Sequence, residues 1–362
     1  MLTTILLFLG ILVIVVIGHE FGHFIVARWN GVKVEEFGFG LPPKIWGYKP
    51  KNSETEYNIN LLPLGGYVKL LGEEGDSKDN PRSFASKKPW QRISILSAGV
   101  IMNIIIAIIA FTIVGMLGSQ VVIDASNINS DKYSNIAVRI ATVAKDSPAE
   151  KSDLKFGDEI QSIAGIKIEN QDEVTNIIKD NIGQSLDIVV KRGEQTLTKT
   201  LEPRENPPEG QGAIGISTQF TGIQKLSFFE SFKLSFIRIY IIISTTLYIL
   251  VQMIISLFTQ APLPAEADVT GPVGLVQVVG DIRVLGFSYI LTFIGLFSTS
   301  LAFFNVLPIP ALDGGRIFFV IIEWIKGSPV SQALENKFHI IGYSVLMLLF
   351  VLVTIKDIIN LF

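Results

Sequence analysis

Two histidines and a glutamate stand together near the start of the sequence. His19, Glu20 and His23 form an H-E-x-x-H motif. On a helix, residues i and i+4 lie on one face, so both imidazoles can bind one Zn²⁺ while Glu20 is placed to take a proton from water. The chain has three histidines in 362 residues and no cysteine, so a metal must be held by histidine and carboxylate side chains. The motif predicts a catalytic zinc site.

A catalytic zinc ion needs three protein ligands, and the third must come from elsewhere in the chain. Asp313 is the candidate, because it lies in the segment Asn305 to Gly315, N-V-L-P-I-P-A-L-D-G-G. Its two prolines break a helix and its two glycines allow a close backbone approach. The competing interpretation is a loop turn that follows a spanning helix.

The composition indicates a membrane protein. Hydrophobic residues make up 49% of the chain and charged residues only 17%, and the mean hydropathy is +0.46. The net charge of −3 gives no basic excess of the kind that nucleic-acid binding requires. We therefore expect the lipid bilayer as a partner, and no nucleic acid.

Five apolar runs are long enough to be considered as membrane spans, at about 2–27, 93–118, 233–258, 287–307 and 338–361. The first run lacks a basic start and a small-residue cleavage site, so it is interpreted as retained rather than as a secretory signal. The zinc motif lies inside this run, where buried imidazole and carboxylate groups are costly and usually functional.

The segment between the first two runs predicts a β-hairpin. Tyr57, Ile59 and Leu61 alternate with polar residues, and a turn at 63–66 leads into a second strand-like stretch. This segment holds the densest basic cluster near a membrane boundary, so the positive-inside rule makes it cytoplasmic. Its apolar content suggests that the hairpin dips toward the bilayer.

Residues 121–205 have the composition of a soluble domain. The signals run strand, short helix, strands, helix, strands, and the stretches 146–149, 154–160 and 163–165 resemble a bacterial PDZ domain. PDZ domains bind extended peptides or chain ends by adding a strand to a sheet edge. A segment rich in proline and glycine, 203–210, is typical of a linker.

The H-E-x-x-H motif and the Asn305–Gly315 segment together resemble the site-2 protease family of intramembrane zinc metalloproteases. The single PDZ-like domain resembles the bacterial regulator of sigma-E protease branch. The resemblance covers nearly the whole chain, with further matches in order at 38–40, 65–69, 90–92, 271–274 and 326–330. One departure is Val100 after Gly99, where the family often has proline; the Gly99-x-x-x-Asn103 spacing is kept.

This resemblance implies roles for individual residues. It implies His19, His23 and Asp313 as zinc ligands and Glu20 as the general base. It also implies that a hairpin strand pairs with an unwound substrate segment and that two amides contact the substrate backbone. These substrate-binding residues are Gly66, Tyr67, Val68, Lys69 and Leu70 in the strand, and the amides Asn103 and Asn305.

The resemblance further implies regulated intramembrane proteolysis in the bacterial cytoplasmic membrane. The expected substrates are single-span membrane proteins resembling anti-sigma factors, with remnant signal peptides as a second class. The PDZ-like domain would be extracytoplasmic and would exclude substrates whose outer domain is intact, or bind a peptide or chain end.

The predicted fold is a polytopic α-helical membrane protein with about four transmembrane helices, a membrane-associated β-hairpin and an inserted α+β PDZ-like domain. Its segments are 1–120, 121–205, 206–286 and 287–362. Glu20 lies roughly 27 Å along the first helix, and Asp313 must reach the same depth. Residues 233–258 should therefore lie along the interface or beside the core, because five spans would put Asp313 at the wrong face.

Two other functions fit parts of the sequence. One is a membrane scaffold that binds partners through the PDZ-like domain and has an inert metal site. The other is an ion transporter, which would need polar groups across several helices rather than at one depth. His339, at the start of the last run, is interpreted as an interfacial residue.

Overall fold

The computed structural model describes residues 1–73, 77–123, 132–259, 270–328 and 330–359. The helices are α1 (Leu2–Trp29), α2 (Pro89–Leu117), α3 (Pro148–Lys151), α4 (Gln171–Asp180), α5 (Phe228–Thr259), α6 (Pro272–Leu285), α7 (Phe287–Val306), α8 (Asp313–Lys326) and α9 (Gln332–Ile359), with a 3₁₀ helix at Phe84–Ser86. The strands are β1 (Val34–Tyr48), β2 (Glu56–Leu70), β3 (Ser119–Val122), β4 (Ser134–Val143), β5 (Glu159–Ile163), β6 (Ile166–Lys167), β7 (Leu186–Arg192), β8 (Gln195–Leu201) and β9 (Ile216–Gln224).

Each predicted apolar run forms a helix. Within the described residues, α1, α2, α5, α7 and residues 333–359 of α9 are long and apolar enough to cross a membrane. Ile239 of α5 is buried against Ala107 and Phe111 of α2, so α5 lies beside α2 at this point. The packing does not distinguish a spanning α5 from one that lies beside the core, so the position of α5 and the four-span topology stay predictions.

Small residues bring α1 and α2 close together. A Cβ atom on Gly22 would overlap the carbonyl oxygen of Ala98, and one on Gly18 would overlap the side chain of Ile106. Glycines four residues apart on one helix face allow this kind of backbone contact in a membrane, where packing replaces the hydrophobic effect. The close contact fixes α2 against the face of α1 that carries the histidines.

The two predicted strands at 57–61 and 67–70 form, but the pairing predicted between them is wrong. In the described part of the chain both lie in β2, and each pairs with β1 instead of with the other. Phe37 of β1 is paired with Val68 and also with Tyr57, so the middle of β1 lies between two segments of β2. Within the described residues, the segment 66–70 pairs with β1 alone. Its other edge is therefore a candidate for adding a further strand.

The chain divides into two compact units. One comprises residues 1–111, 234–277 and 292–362, and the other comprises 112–233 and 278–291. The second unit contains a sheet with the strand order β3-β9-β4-β5-β7-β8, and β6 pairs with β5. Its apolar core includes Ile140, Ile163, Ile188 and Val190, each at most 1% exposed.

This sheet is larger than the predicted segment 121–205. After the proline-rich stretch the chain returns as β9, which pairs with both β3 and β4. The proline-rich stretch predicted a linker out of the domain, but it held no signal that the next strand inserts between two earlier ones. The predicted segment 206–286 therefore contains a strand of the sheet as well as α5 and α6. Residues 124–131 and 260–269 of the predicted segments lie outside the described residues.

Candidate zinc site and substrate cleft

Helix α1 brings the two predicted histidine ligands onto one face. His19 and His23 are 7% and 8% exposed, and their Nε2 atoms lie 3.2 Å apart. The spacing of four residues places both rings above one another on the helix surface. The two nitrogen atoms therefore point to one position beside α2.

Asp313 arrives at the same position from the other end of the chain. It is the first residue of α8, and its Oδ2 atom lies 3.1 Å from His19 Nε2 and 3.2 Å from His23 Nε2. The turn before it is tight, because a Cβ on Gly315 would lie 3.0 Å from the carbonyl carbon of Ile309. The prolines and glycines of this segment thus let the chain leave α7 and place a carboxylate against α1.

These three atoms fit a zinc ion. They form a triangle with edges of 3.1 to 3.2 Å, close to the roughly 3.3 Å between ligands of a tetrahedral site with bonds of about 2.0 Å. Among the described residues, Asp313 Oδ2 is buried without a hydrogen-bond donor. Gly99 leaves space for the two histidine nitrogens because it has no side chain. A Cβ at this position would lie 2.7 Å from His19 Nε2 and overlap His23 Nε2.

Outer partners hold both imidazoles. His23 Nδ1 lies 2.8 Å from the carbonyl oxygen of Ile95, so it donates its hydrogen there and leaves Nε2 with a lone pair for a metal. Asn103, which is fully buried, has its Nδ2 atom 3.3 Å from His19 Nδ1. When His19 binds a metal through Nε2, its Nδ1 atom carries the hydrogen. The Asn103 amide can accept a hydrogen bond from it through Oδ1 if the amide group is rotated by 180°.

Glu20 lines a cavity of about 480 Å³ with His23 and Asp313. The hairpin strand crosses directly beside it, since a Cβ on Gly66 would lie 2.8 Å from Glu20 Cγ. Glu20 thus lies beside both the potential metal ligands and the strand around Gly66. A general base for a peptide bound there must lie within reach of both.

The predicted substrate strand borders the same cavity. Gly66, Tyr67, Val68 and Leu70 line it, whereas Lys69 is exposed and its Nζ lies 3.7 Å from Glu36 Oε1. The phenol of Tyr67 donates to Glu36 Oε2 at 3.0 Å, so it is turned into the hairpin. The strand therefore offers its backbone, rather than the Tyr67 hydroxyl, toward the cavity.

The two predicted amides are buried, Asn103 at 0% and Asn305 at 9% exposure. Neither amide is among the described residues that line the cavity. Asn305 lies in the last turn of α7, shortly before the turn to Asp313. Burial alone therefore does not bring either amide to the cavity surface.

Charged side chains tie α8 to neighbouring elements. Arg92 of α2 pairs with Glu323 of α8 at 2.5 Å. Arg316, one turn after Asp313, pairs with Glu73, which also accepts the backbone N–H of Leu70 at 3.1 Å. The charge of Glu73 raises the pKa of the Arg316 guanidinium. The helix that begins with Asp313 is thereby linked to the end of the substrate strand, a link that composition and spacing did not reveal.

His339 was also missed as a site residue. It lines the same cavity, and its Nδ1 atom accepts the backbone N–H of Ala311 at 3.0 Å. The interpretation as an interfacial residue rested on its place at the start of an apolar run. No sequence spacing predicts a contact between a helix and a turn that lies 28 residues earlier.

Comparisons with known proteins identify relatives of the chain. Peptidase family M50 matches residues 7–349. A relative from Clostridium perfringens, which bears a zinc metalloprotease name, is 38% identical over 94% of each chain. Zinc metalloprotease RasP from Oceanobacillus iheyensis is 27% identical, with all of both chains covered. Among solved structures, the PDZ domain of an SdrC-like protein from Listeria monocytogenes is 25% identical over 24% of this chain and 92% of that chain, with a TM-score of 0.21.

The predicted family, enzyme class and metal are confirmed by these relatives. The fold is that of a polytopic helical membrane protein with an inserted PDZ-like domain. The chain belongs to peptidase family M50, the site-2 protease family of zinc metalloproteases.

Proposed function

We propose that the chain cuts single-span membrane proteins within or beside their transmembrane segment, in regulated intramembrane proteolysis. The proposed substrates resemble anti-sigma factors, and remnant signal peptides are a second class. The observation that carries this proposal is the triangle of His19, His23 and Asp313 atoms beside Glu20 and under an open strand edge.

His19 Nε2, His23 Nε2 and Asp313 Oδ2 would hold the zinc ion. When bound, zinc supplies a Lewis acid that acidifies water and polarises a carbonyl group. Hydrolysis adds hydroxide to the carbonyl carbon and a proton to the leaving nitrogen. Glu20 is positioned to accept the proton released by water and to deliver it to the amine when the C–N bond breaks.

The substrate must be unwound before it can be cut, because the carbonyl groups of a helix are already hydrogen-bonded. The open edge of segment 66–70 can hold an extended chain by backbone hydrogen bonds. The residues proposed to bind the substrate are Gly66, Tyr67, Val68, Lys69 and Leu70, with Asn103 and Asn305 as predicted amide contacts. Because both amides are buried, a substrate can contact them only if it reaches into the helical unit.

We place the protein in the bacterial cytoplasmic membrane with the PDZ-like unit outside and with four spans. The basic residues of the hairpin segment support a cytoplasmic hairpin. The zinc ligands would then lie near the cytoplasmic face. The PDZ-like unit is proposed to exclude substrates with an intact outer domain or to bind a chain end.

The test is cleavage of a model single-span substrate by purified protein in detergent. Wild type is compared with Glu20→Gln, with zinc content recorded for both. We expect wild type to cut near the membrane segment and Glu20→Gln to retain zinc while losing about 100- to 10,000-fold in rate. Glu54→Gln is the matched control, because Glu54 is exposed in the loop between β1 and β2, where it pairs with Arg82.

Two outcomes would contradict the proposal. If wild type holds zinc but cuts no membrane substrate, an inert scaffold explains the site better. If Glu20→Gln cuts as fast as wild type, Glu20 is not the base. A second substrate pair, with and without a folded outer domain, then tests exclusion by the PDZ-like unit.

A further inference from the structure

Helix α9 packs against the turn that delivers Asp313. The Nδ1 atom of His339 accepts the backbone N–H of Ala311 at 3.0 Å. One turn later on the same helix face, Gly342 contacts Pro310 so closely that a Cβ would lie 2.9 Å from the Pro310 carbonyl carbon. Residues i and i+3 of a helix lie side by side, so α9 holds two consecutive residues of the turn.

The turn has few hydrogen-bond donors of its own. Pro308 and Pro310 lack an N–H group, and Ala311 has a φ of +72°, a conformation that is strained for a residue with a Cβ. The Ala311 N–H is directed to another helix rather than to the turn itself. Asp313 follows only two residues later, so a shift at Ala311 would move its carboxylate.

The direction of this hydrogen bond fixes the form of His339. A nitrogen that accepts carries no hydrogen, so a neutral ring has its hydrogen on Nε2. Nε2 is buried and, among the described residues, has no hydrogen-bond partner; Glu335 Oε1 lies 3.9 Å away. Within the described residues, the group of potential metal ligands is His19, His23 and Asp313, and His339 is outside it. The hydrogen bond from the Ala311 N–H to Nδ1 is therefore the contact through which His339 can influence the turn.

We propose that His339 is a positioning residue for zinc binding. Its Nδ1 atom holds the Ala311 N–H and keeps Asp313 Oδ2 at 3.1 and 3.2 Å from the two histidine nitrogens. This inference rests on the zinc site proposed above. It assigns the third histidine of the chain to the outer layer of that site, where partners of ligands tune metal affinity.

The test measures zinc affinity rather than cleavage. Full-length protein carrying Glu20→Gln is titrated against a zinc chelator in detergent, alone and with His339→Ala, His339→Gln or His339→Asn. The Asn side chain places an oxygen where Nδ1 lies, whereas Gln places it near Nε2. We expect the Ala and Gln variants to bind zinc about 10- to 100-fold more weakly and the Asn variant to bind it nearly as tightly as the parent.

Ile341→Ala is the control on the same helix, because Ile341 is 64% exposed and its loss should leave zinc affinity unchanged. A second control combines His339→Ala with Asp313→Ala. If His339 acts through Asp313, its loss adds nothing once Asp313 is gone, so the two effects are non-additive. The Co²⁺-loaded proteins report the same changes in their visible absorption, because that absorption depends on coordination geometry.

The inference is overturned if His339→Ala binds zinc as tightly as the parent. It is also overturned if Asn and Gln lose affinity equally, or if His339→Ala weakens zinc further in the Asp313→Ala protein. Should the Ala variant fail to fold, the Asn and Gln pair decides. A wild type that binds zinc but cuts nothing contradicts the proposed proteolysis and leaves this test intact; a wild type without zinc overturns both.

Discussion

Two carboxylates, one in each unit, differ in how their oxygens are used. In the PDZ-like unit, Asp158 is fully buried. It accepts hydrogen bonds from Arg192 Nε at 2.7 Å, Arg192 Nη2 at 2.8 Å and the Lys155 backbone at 2.9 Å. In the helical unit, Asp313 Oδ2 faces two imidazole nitrogens and, among the described residues, no hydrogen-bond donor.

The difference separates a structural group from a binding group. A buried carboxylate whose lone pairs are all bonded stabilises its surroundings and has nothing left to offer a ligand. A buried oxygen without a donor is costly in the empty protein, and a cation removes that cost. Asp313 Oδ2 is one of several buried polar atoms of the helical unit that have no partner among the described residues, whereas Asp158 is fully engaged by Arg192 and the Lys155 backbone.

The largest expected effect comes from removing the binding carboxylate. Asp313→Ala leaves two imidazoles as ligands, so zinc affinity should fall by more than about 100-fold, beyond the range for losing an outer partner. Cleavage should be lost with the zinc. Zinc content after dialysis and the cleavage rate check this. The comparison fails if Asp313→Ala retains zinc and activity, since Asp313 would then resemble Asp158.

Removing the Asp158 carboxylate should lower the stability of the sheet unit and leave zinc binding unchanged. Asp158→Ala leaves the half-buried Arg192 without its bidentate partner, so the sheet unit should lose about 3 kcal/mol of stability. The amides of β5 and β7 should then exchange with solvent about 100-fold faster in the full-length protein. Zinc content should not change.

A double variant sharpens this second prediction. Asp158→Leu with Arg192→Met removes both charges, and burial of apolar groups in their place should recover most of the lost stability. If the double variant is no more stable than Asp158→Ala, the pair does not act as a closed unit. If Asp158→Ala also loses zinc, the two regions are not separate in the way proposed here.

The sequence predicted those features that depend on local spacing. The apolar runs indicated α1, α2, α5, α7 and α9, the spacing of four placed His19 beside His23, and prolines with glycines marked the turn at Asp313. Long-range contacts were not predictable in this way. The return of β9 into the sheet, the double pairing of Phe37 and the bond from His339 to Ala311 join residues with no shared local pattern.

Substitution of Asn103 should have a smaller effect on zinc binding, and it tests whether this amide contacts His19 or the substrate. Like Asp158 it is fully buried, yet among the described residues its Oδ1 atom has no donor. Because its amide lies 3.3 Å from His19 Nδ1, we expect Asn103→Ala to weaken zinc binding about 10-fold, and a rise in KM would report its predicted contact with the substrate. Asn305→Ala is the matched amide, for which a higher KM at unchanged zinc content is expected.

Zinc titration and steady-state kinetics on both amide variants distinguish the roles. A higher KM for Asn103→Ala, with zinc affinity intact, would show that this amide contacts substrate instead. Equal losses of zinc in both variants would indicate a general weakening of the helical unit.

The smallest effect concerns Asp153, an exposed neighbour of the closed pair in the sheet unit. Burial opposes its charge, but hydrogen bonds from Lys199 and Arg192 outweigh burial and lower the pKa of Asp153. A lowered pKa stabilises the folded state above the unfolded value of about 3.9, and this contribution is lost as the pH falls through the folded pKa. Asp153 is 55% exposed, so the contribution should stay below about 1 kcal/mol.

Asp153→Asn isolates this contribution, because asparagine tolerates the φ of +61° at this position. Hydrogen exchange of β7 and β8 is compared between the variant and wild type at each pH, which cancels the intrinsic pH dependence of exchange. Wild type should be slightly more protected at about pH 6, and the difference should shrink as the pH falls below the unfolded value and through the lowered pKa of Asp153. A difference that is constant with pH would mean that the side chain acts through packing, so that only the buried pair of Asp158 and Arg192 carries the electrostatic stability of this unit.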